Sequence, residues 1–211
     1  MAKLDIHYLN LGTIGTNVYF LTNSETNELI LVDPADDADY IVNQSRIRQY
    51  KPVAILLTHG HFDHIYAVND LKKAWPDVPV YAYIGEKELL GDPWMNRSRQ
   101  WAEPYTTQAD IWLTDGQQIQ LAGFSITVLH TPGHTSGSCC YYFPEQKVLM
   151  SGDTLFHESY GRTDLQTGSQ SAIFRSIRDV LMKLPDDVDV YPGHMDPTTI
   201  GHEREYNPAI F

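Results

Sequence analysis

Alternating apolar and polar positions open the chain. Asp5–Leu11, Asn17–Thr22 and Leu29–Val32 are short β-rich runs, and the last ends at Asp33-Pro34, where proline stops a strand. They predict an antiparallel meander. The period then lengthens: Ile41, Val42, Ser45 and Ile47 recur at helical spacing within Ala38–Tyr50. Lys51-Pro52 separates that segment from Val53–Leu57, a continuous apolar run of the buried-strand type. A second such step follows, with a helix over Ile65–Trp75, a strand over Val80–Tyr83 and a short helix near Glu86–Leu90. Gly91–Asp110, with Pro93, Trp94, Trp101 and Pro104, fits neither period and reads as a long functional segment such as a lid. Beyond it the pattern predicts strands at Ile119–Leu121, Ser125–Leu129, Ser138–Phe143 and Lys147–Ser151 and a helix at Ser171–Leu184. A strand at Val188–Tyr191 and a helical turn near Thr199–Glu205 complete the series. Two successive strand-then-helix halves, with no linker or short repeat, predict one domain over residues 1–211, sheets covered by helices.

Composition narrows the class. The 211 residues are 42% hydrophobic, 11% aromatic and 20% charged, a globular balance with enough chain for a sizeable core. The 27 Asp+Glu against 15 Lys+Arg, net −12, argue against a nucleic-acid binder, which needs a basic face. Met1–Asn10 lacks the pattern of a signal peptide, and the longest aliphatic runs are too short to span a bilayer, so the expectation is a soluble, cytoplasmic protein with no membrane partner. Cys139 and Cys140 are adjacent and read as reduced, buried strand residues.

The chemistry concentrates in Thr58-His59-Gly60-His61-Phe62-Asp63-His64, directly after the buried strand. In an extended segment alternate side chains share a face, so His59, His61 and Asp63 can converge, and the turn into the next helix swings His64 beside them. Three further candidate ligands each end a predicted strand: His134 in His130–Ser138, Asp153 in Gly152–Phe156, and His194 in Pro192-Gly193-His194. Five imidazoles and two carboxylates suit zinc first, with iron or manganese as alternatives. A closed structural zinc site would use four ligands, commonly cysteines, and so fits this set poorly.

These motifs resemble the metallo-β-lactamase superfamily, through His-x-His-x-Asp-His, and within it the short, single-domain, glyoxalase II-like hydrolases. The likeness runs through Asp33, residues 58–64, His130–Ser138, Gly152–Phe156, Gly161–Leu165 and Pro192–Pro208. It implies an α/β fold, the four-layer αββα sandwich, with the site along one edge of the two sheets. It also implies two divalent metal ions, His59, His61 and His134 on one, Asp63, His64 and His194 on the other, and Asp153 bridging. Asp63 would additionally orient a metal-bound hydroxide. Asp33 is read either as an outer carboxylate that orients the 58–64 loop or as an ordinary Asp-Pro turn. The implied substrate is a small-molecule thioester or activated ester, because a thiolate, with a pKa near 8.5, leaves without a strong general acid. Arg162 matches a position where longer relatives place a basic glutathione-contacting residue; the alternative is a structural pair with Asp164. Gly161–Gln166 also resembles persulfide dioxygenases, which bind one iron through residues matching His59, His134 and Asp153. Tyr160, Trp94 and Trp101 are candidates for the pocket wall or for the core, and His7, His130, His157 and His202 are read as surface or packing residues.

Overall fold

The computed structural model describes residues 2–211. The N-terminal meander forms as β1 (Leu4–Leu11), β2 (Thr16–Asn23) and β3 (Glu28–Val32), paired antiparallel in sequence order. Helix α1 (Ala38–Ile47) crosses to β4 (Lys51–Leu57), parallel to β3. It ends three residues before the sequence pattern did because Gln49 adopts φ +58°, outside the helical region. The predicted helix 65–75 is two helices, α2 (Phe62–Ile65) and α3 (Val68–Ala74). Its first turn lies inside the histidine motif, and the break at Ala67 follows that residue's amide donating to the Pro34 carbonyl at 3.0 Å. Strand β5 (Val80–Tyr83), helices α4 (Lys87–Gly91) and α5 (Ser98–Trp101), and β6 (Ile111–Leu113) complete the first sheet, ordered β1 to β6.

The second sheet contains β7 (Gln118–Leu121), β8 (Phe124–His130), β9 (Cys139–Phe143) and β10 (Val148–Gly152) as a meander. A small hairpin, β11 (Leu155–Phe156) and β12 (Ser159–Tyr160), follows. Helix α6 (Gln170–Arg175) continues through a π-helical turn, Ser176–Val180, and a 3-10 turn, Leu181–Lys183, rather than as one regular helix. Strand β13 (Asp189–Pro192) then pairs parallel to β10, β14 (Thr198–Thr199) closes the edge, and α7 (Ile200–Tyr206) follows.

Strand alternation explains the layers. On the first sheet Val18, Phe20, Leu29, Ile55 and Leu57 face the helices with Ile41 and Leu71. Their neighbours Tyr19, Leu21, Ile30, Val32, Ala54 and Leu56 face the other sheet and meet Phe124, Ile126, Tyr141, Phe143 and Met150. The outer face of the second sheet packs Leu149 and Val190 on Ile173, Ile177 and Leu181. The result is helix, sheet, sheet, helix, with each apolar face buried. Both cysteines are free and buried. Among the described residues no helix is long and apolar enough to cross a membrane.

Polar ties lock the two sheets together along one edge. Tyr141 Oη donates to the Leu57 carbonyl at 2.8 Å, and Tyr19 Oη to the Pro192 carbonyl at 2.6 Å. The Cys139 amide donates to the Thr58 carbonyl at 2.9 Å, and the Asn17 amide to that of Gly193 at 2.8 Å. The loops after β4, β8, β10 and β13 emerge at this edge, so a rigid scaffold aims residues far apart in sequence at one point.

Candidate metal centre

All seven candidate ligands meet at that edge. The donor atoms of His59, His61 and His134 lie within 4.8 Å of one another, as do those of Asp63, His64 and His194. Asp153 lies between the trios: its carboxylate oxygens are 3.5 Å from His134 Nε2, 3.5 Å from His194 Nε2 and 3.4 Å from His64 Nε2.

Hydrogen bonds turn the rings the right way. His64 Nδ1 donates to Asp33 Oδ2 at 2.9 Å and His134 Nδ1 to the Arg162 carbonyl at 2.8 Å, which aims each Nε2 at the cluster. Thr58 Oγ1 gives its proton to Asp33 Oδ2 at 2.6 Å, so it accepts from His59 Nδ1 at 3.2 Å and frees His59 Nε2 likewise. His61 Nδ1 and His134 Nε2 stand 2.8 Å apart, a distance at which two lone pairs repel unless a proton or cation is shared. His59 Nε2 and Asp153 Oδ1 are buried and have no hydrogen-bond partner. Buried polar atoms are seldom left so, and these donors fit a divalent cation.

Electrostatics separates the trios. Burial, reinforced by the neighbouring imidazoles, holds His59 and His61 well below the usual histidine range, and burial also lowers His134 against the pull of Asp153. These rings are neutral donors. Burial disfavours charge on His64 as well, but Asp153, Asp63 and Asp33 outweigh it and raise that ring to about 10. His194 is raised in the same way, by Asp153 and Asp63 against burial. Asp63 stays ionised: burial pushes its pKa up, and His64 and His194 pull it down further.

Asp33 is more than a turn. Fully buried at φ +49°, it accepts from the Thr58 amide at 2.8 Å, from Thr58 Oγ1 and from His64, and so links β3 to the histidine loop. The sequence reading missed a second such carboxylate. Glu86, buried between β5 and α4, accepts from the Gly60 amide at 2.7 Å and from Thr135 Oγ1 at 2.6 Å. It thereby ties the residue between His59 and His61 to the one after His134. No local signal marked it, since Glu86 is followed by Lys87 and Glu88 and reads as part of a polar helix start. Gly193 supplies close approach, since a Cβ there would sit 2.3 Å from Asp153 Oδ1.

The cluster opens into a cavity of about 580 Å³. Trp101 and Tyr160 line it, whereas Trp94 is exposed to solvent away from it. Gly91–Asp110 is a tied structure rather than a loose lid: Asn96 and Ser98 are fully buried, and the Asn96 carbonyl accepts from the Phe62 amide at 2.9 Å. Arg162 also lines the cavity, but its Nε and Nη2 both close on Asp164 at 2.7 Å. The remaining histidines lie elsewhere: His130 stacks on Tyr83, His7 lies beside Phe20, and His157 stacks on His202. Glu203, near the last pair, already accepts from the Glu158 amide, Thr198 and Asn207.

A family model described as the metallo-beta-lactamase superfamily matches residues 11–194. The chain belongs to that superfamily. It is 35% identical over 202 residues to the probable metallo-hydrolase YqgX of Bacillus subtilis, covering 95% of this chain and 94% of that one. It is 30% identical to the hydroxyacylglutathione hydrolase GloC of Haemophilus influenzae, covering 98% of each. Among solved structures it superposes on the BLEG-1 B3 metallo-beta-lactamase with a TM-score of 0.92 and 40% identity, covering 98% of this chain and 99% of the other. TTHA1623 in a di-iron-bound form gives 0.85 and 36%, covering 96% and 98%. The metallo-beta-lactamase sandwich expected from the motifs is therefore the fold observed, and the protein is a metallo-hydrolase of this superfamily.

Proposed function

We propose that this metallo-hydrolase cleaves a thioester, or a comparably activated ester, of a small hydroxyacyl-type substrate. The observation that carries the reading is the pair of donor trios around Asp153, opening on one cavity. His59, His61 and His134 would hold one divalent cation and Asp63, His64 and His194 the second, with the Asp153 carboxylate toward both. When bound, such a pair supplies hydroxide at neutral pH and Lewis-acid stabilisation of a developing oxyanion. The chain's own contributions follow from the geometry. Asp63, ionised and half-buried at the cavity wall, accepts a hydrogen bond from the attacking oxygen and fixes its line of approach. Asp33 and the Arg162 carbonyl hold the rings in the tautomer that presents Nε2.

The leaving group decides between thioester and amide. Beside the cluster the wall is mainly apolar, with Phe156, Trp101 and Leu165, and Asp63 is ionised, which leaves the Ser159 and Tyr160 hydroxyls as the neutral proton sources for a departing amine. A thiolate needs none. The full-length likeness to GloC supports this choice, whereas the likeness to the B3 lactamase BLEG-1 favours a β-lactam. The test is metal quantification on protein purified without chelators, coupled to turnover of S-lactoylglutathione, other acyl thioesters, lactones, a β-lactam and glutathione persulfide. Two metals per chain with thioester cleavage is the expected result. β-Lactam cleavage faster than any thioester overturns the reading, as does one iron per chain with oxygen uptake on persulfide.

A further inference from the structure

Two guanidinium groups line the cavity, and they differ in what already holds them. Arg162 is closed on Asp164 by a two-point ion pair at its exposed rim. Arg97 is half-buried; its Nη1 touches only a neutral acceptor, Gln166 Oε1, at 3.2 Å, and among the described residues no carboxylate pairs with it. Its charge is felt by His61 in the centre and, more distantly than that of Arg162, by Asp164.

The backbone is built to keep it there. Arg97 has φ +72°, a left-handed conformation unusual for a side chain with a Cβ. Its two neighbours impose it. The Ser98 amide donates to Asn96 Oδ1 at 2.9 Å, Asn96 Nδ2 donates to the Tyr105 carbonyl at 2.8 Å, and the Tyr105 amide donates to Ser98 Oγ at 2.9 Å. The Asn96 carbonyl is tied in turn to α2, the helix that carries Asp63 and His64. Strained backbone held by over-determined polar contacts is a feature of ligand clamps.

We infer that Arg97 is the anchor for a substrate carboxylate lying away from the scissile carbonyl, across an apolar wall that includes Ile14, Trp101 and Leu165. With Nη1 on Gln166, the guanidinium keeps a free edge of N–H donors that matches a carboxylate's two oxygens. A single cation with no carboxylate in ion-pair contact suits a carboxylate better than a polyphosphate, and the chain's net −12 makes such a local cation matter for any anionic substrate. The kinetic form of this inference rests on the thioester reading; the binding form does not.

Three matched thioesters test it: neutral S-lactoyl-N-acetylcysteamine, S-lactoyl-3-mercaptopropionate with the carboxylate on the thiol arm, and succinyl-N-acetylcysteamine with it on the acyl arm. Arg97→Gln should lose about 10- to 100-fold in kcat/KM, mainly through KM, on one carboxylate substrate and stay within about twofold on the neutral one. The arm that responds identifies where the carboxylate sits. Arg97→Lys should recover part of the loss, and Arg162→Gln should leave the ratio unchanged. All three side chains at position 97 carry a Cβ and meet the same backbone conformation, so equal thermal midpoints check that folding is intact. Equal loss on all three substrates, no loss on any, or a loss that follows Arg162 overturns the assignment. If the wild type cleaves no thioester, the function reading fails alone. Titration of S-methylglutathione into the metal-loaded proteins then decides: at least tenfold weaker binding to Arg97→Gln supports the anchor, and equal affinity overturns it.

Discussion

The two halves of the centre are built to opposite electrostatic designs. His59, His61 and His134 are three buried imidazoles kept neutral by burial, and Glu86 braces the loops that carry them from behind. Asp63, His64 and His194 sit among carboxylates that raise both rings, and Asp33 braces them. The first half is a set of lone pairs ready at neutral pH, at the cost of burying polar atoms without partners. In the second, a proton on His64 balances the carboxylates, and a cation binding there must displace it. Metal affinity should therefore depend more steeply on pH in the second half than in the first.

Asp153 belongs to both halves, so its loss should be the largest effect. Asp153→Ala is expected to lower hydrolysis by at least about a hundredfold, the upper end of what removing an outer partner costs, and to leave fewer than two metals per chain. Retention of two metals and of activity within tenfold would falsify the two-trio arrangement. Asp33→Asn should break the comparison unequally. It removes the acceptor that holds His64 directly and His59 only through Thr58, so metal affinity at the Asp63, His64, His194 half should fall by about 10- to 100-fold and at the first half by a smaller factor. Competition with a chromogenic chelator reads this as two unequally weakened steps. Equal weakening of both steps would show that the halves are not independent.

Much of this design was legible along the chain because strand ends and short turns translate spacing into convergence. Residues 58–64 could be placed from the period of an extended segment, and His134, Asp153 and His194 from their positions after apolar runs. The braces were less legible for a physical reason. Asp33 could be offered only as one of two readings, since an Asp-Pro turn accounts for the same residues. Glu86 reaches Gly60 and Thr135 across sequence separations of 26 and 49 residues, and no local period encodes such contacts. The same limit hid the break at Ala67, where a tertiary bond to Pro34 interrupts a helical pattern, and the tying of Gly91–Asp110, whose order comes from buried Asn96 and Ser98 rather than from periodicity. Arg97 drew no notice in the sequence because its role depends on which arginine Asp164 occupies.

Acid should expose the first half. In the metal-stripped protein, His59, His61 and His134 have folded pKa values depressed below the 6.5 of the unfolded chain. The unfolded state thus binds protons that the folded state refuses. The stability contributed by these rings is present above pH 6.5 and is lost as pH falls below it, by up to about 1.4 kcal/mol per pH unit for each ring. His64 and His194, raised, run the other way: their contribution is complete below 6.5 and fades as pH rises toward about 10 for His64. Chelator-treated protein should consequently unfold at lower denaturant at pH 5 than at pH 6.5. A midpoint that stays level between those values would contradict the neutral character of the first half.

Glu86 should give the smallest effect and the most specific one. Burial raises its carboxyl to about 6 from an ordinary value of 4.5, against the hydrogen bonds from Thr135, Gly60 and Gly137 that favour the ionised form. A carboxyl raised on folding stabilises when protonated, so its contribution is complete below about 4.5 and is lost as pH rises through about 6, opposite in sign to the three imidazoles it braces. Glu86→Gln keeps one acceptor oxygen and removes the titration. It also removes one acceptor, which imposes a constant penalty of about 1–3 kcal/mol for the Gly60 amide or the Thr135 hydroxyl left without a partner. The pH-dependent part is separable from that constant: between pH 4.5 and 7, wild type should lose about 2 kcal/mol relative to the variant. Paired urea titrations of the metal-stripped proteins across this window measure it. A constant difference would mean that Glu86 titrates alike in the folded and unfolded chains, and that the first half is braced by geometry without an electrostatic cost of its own.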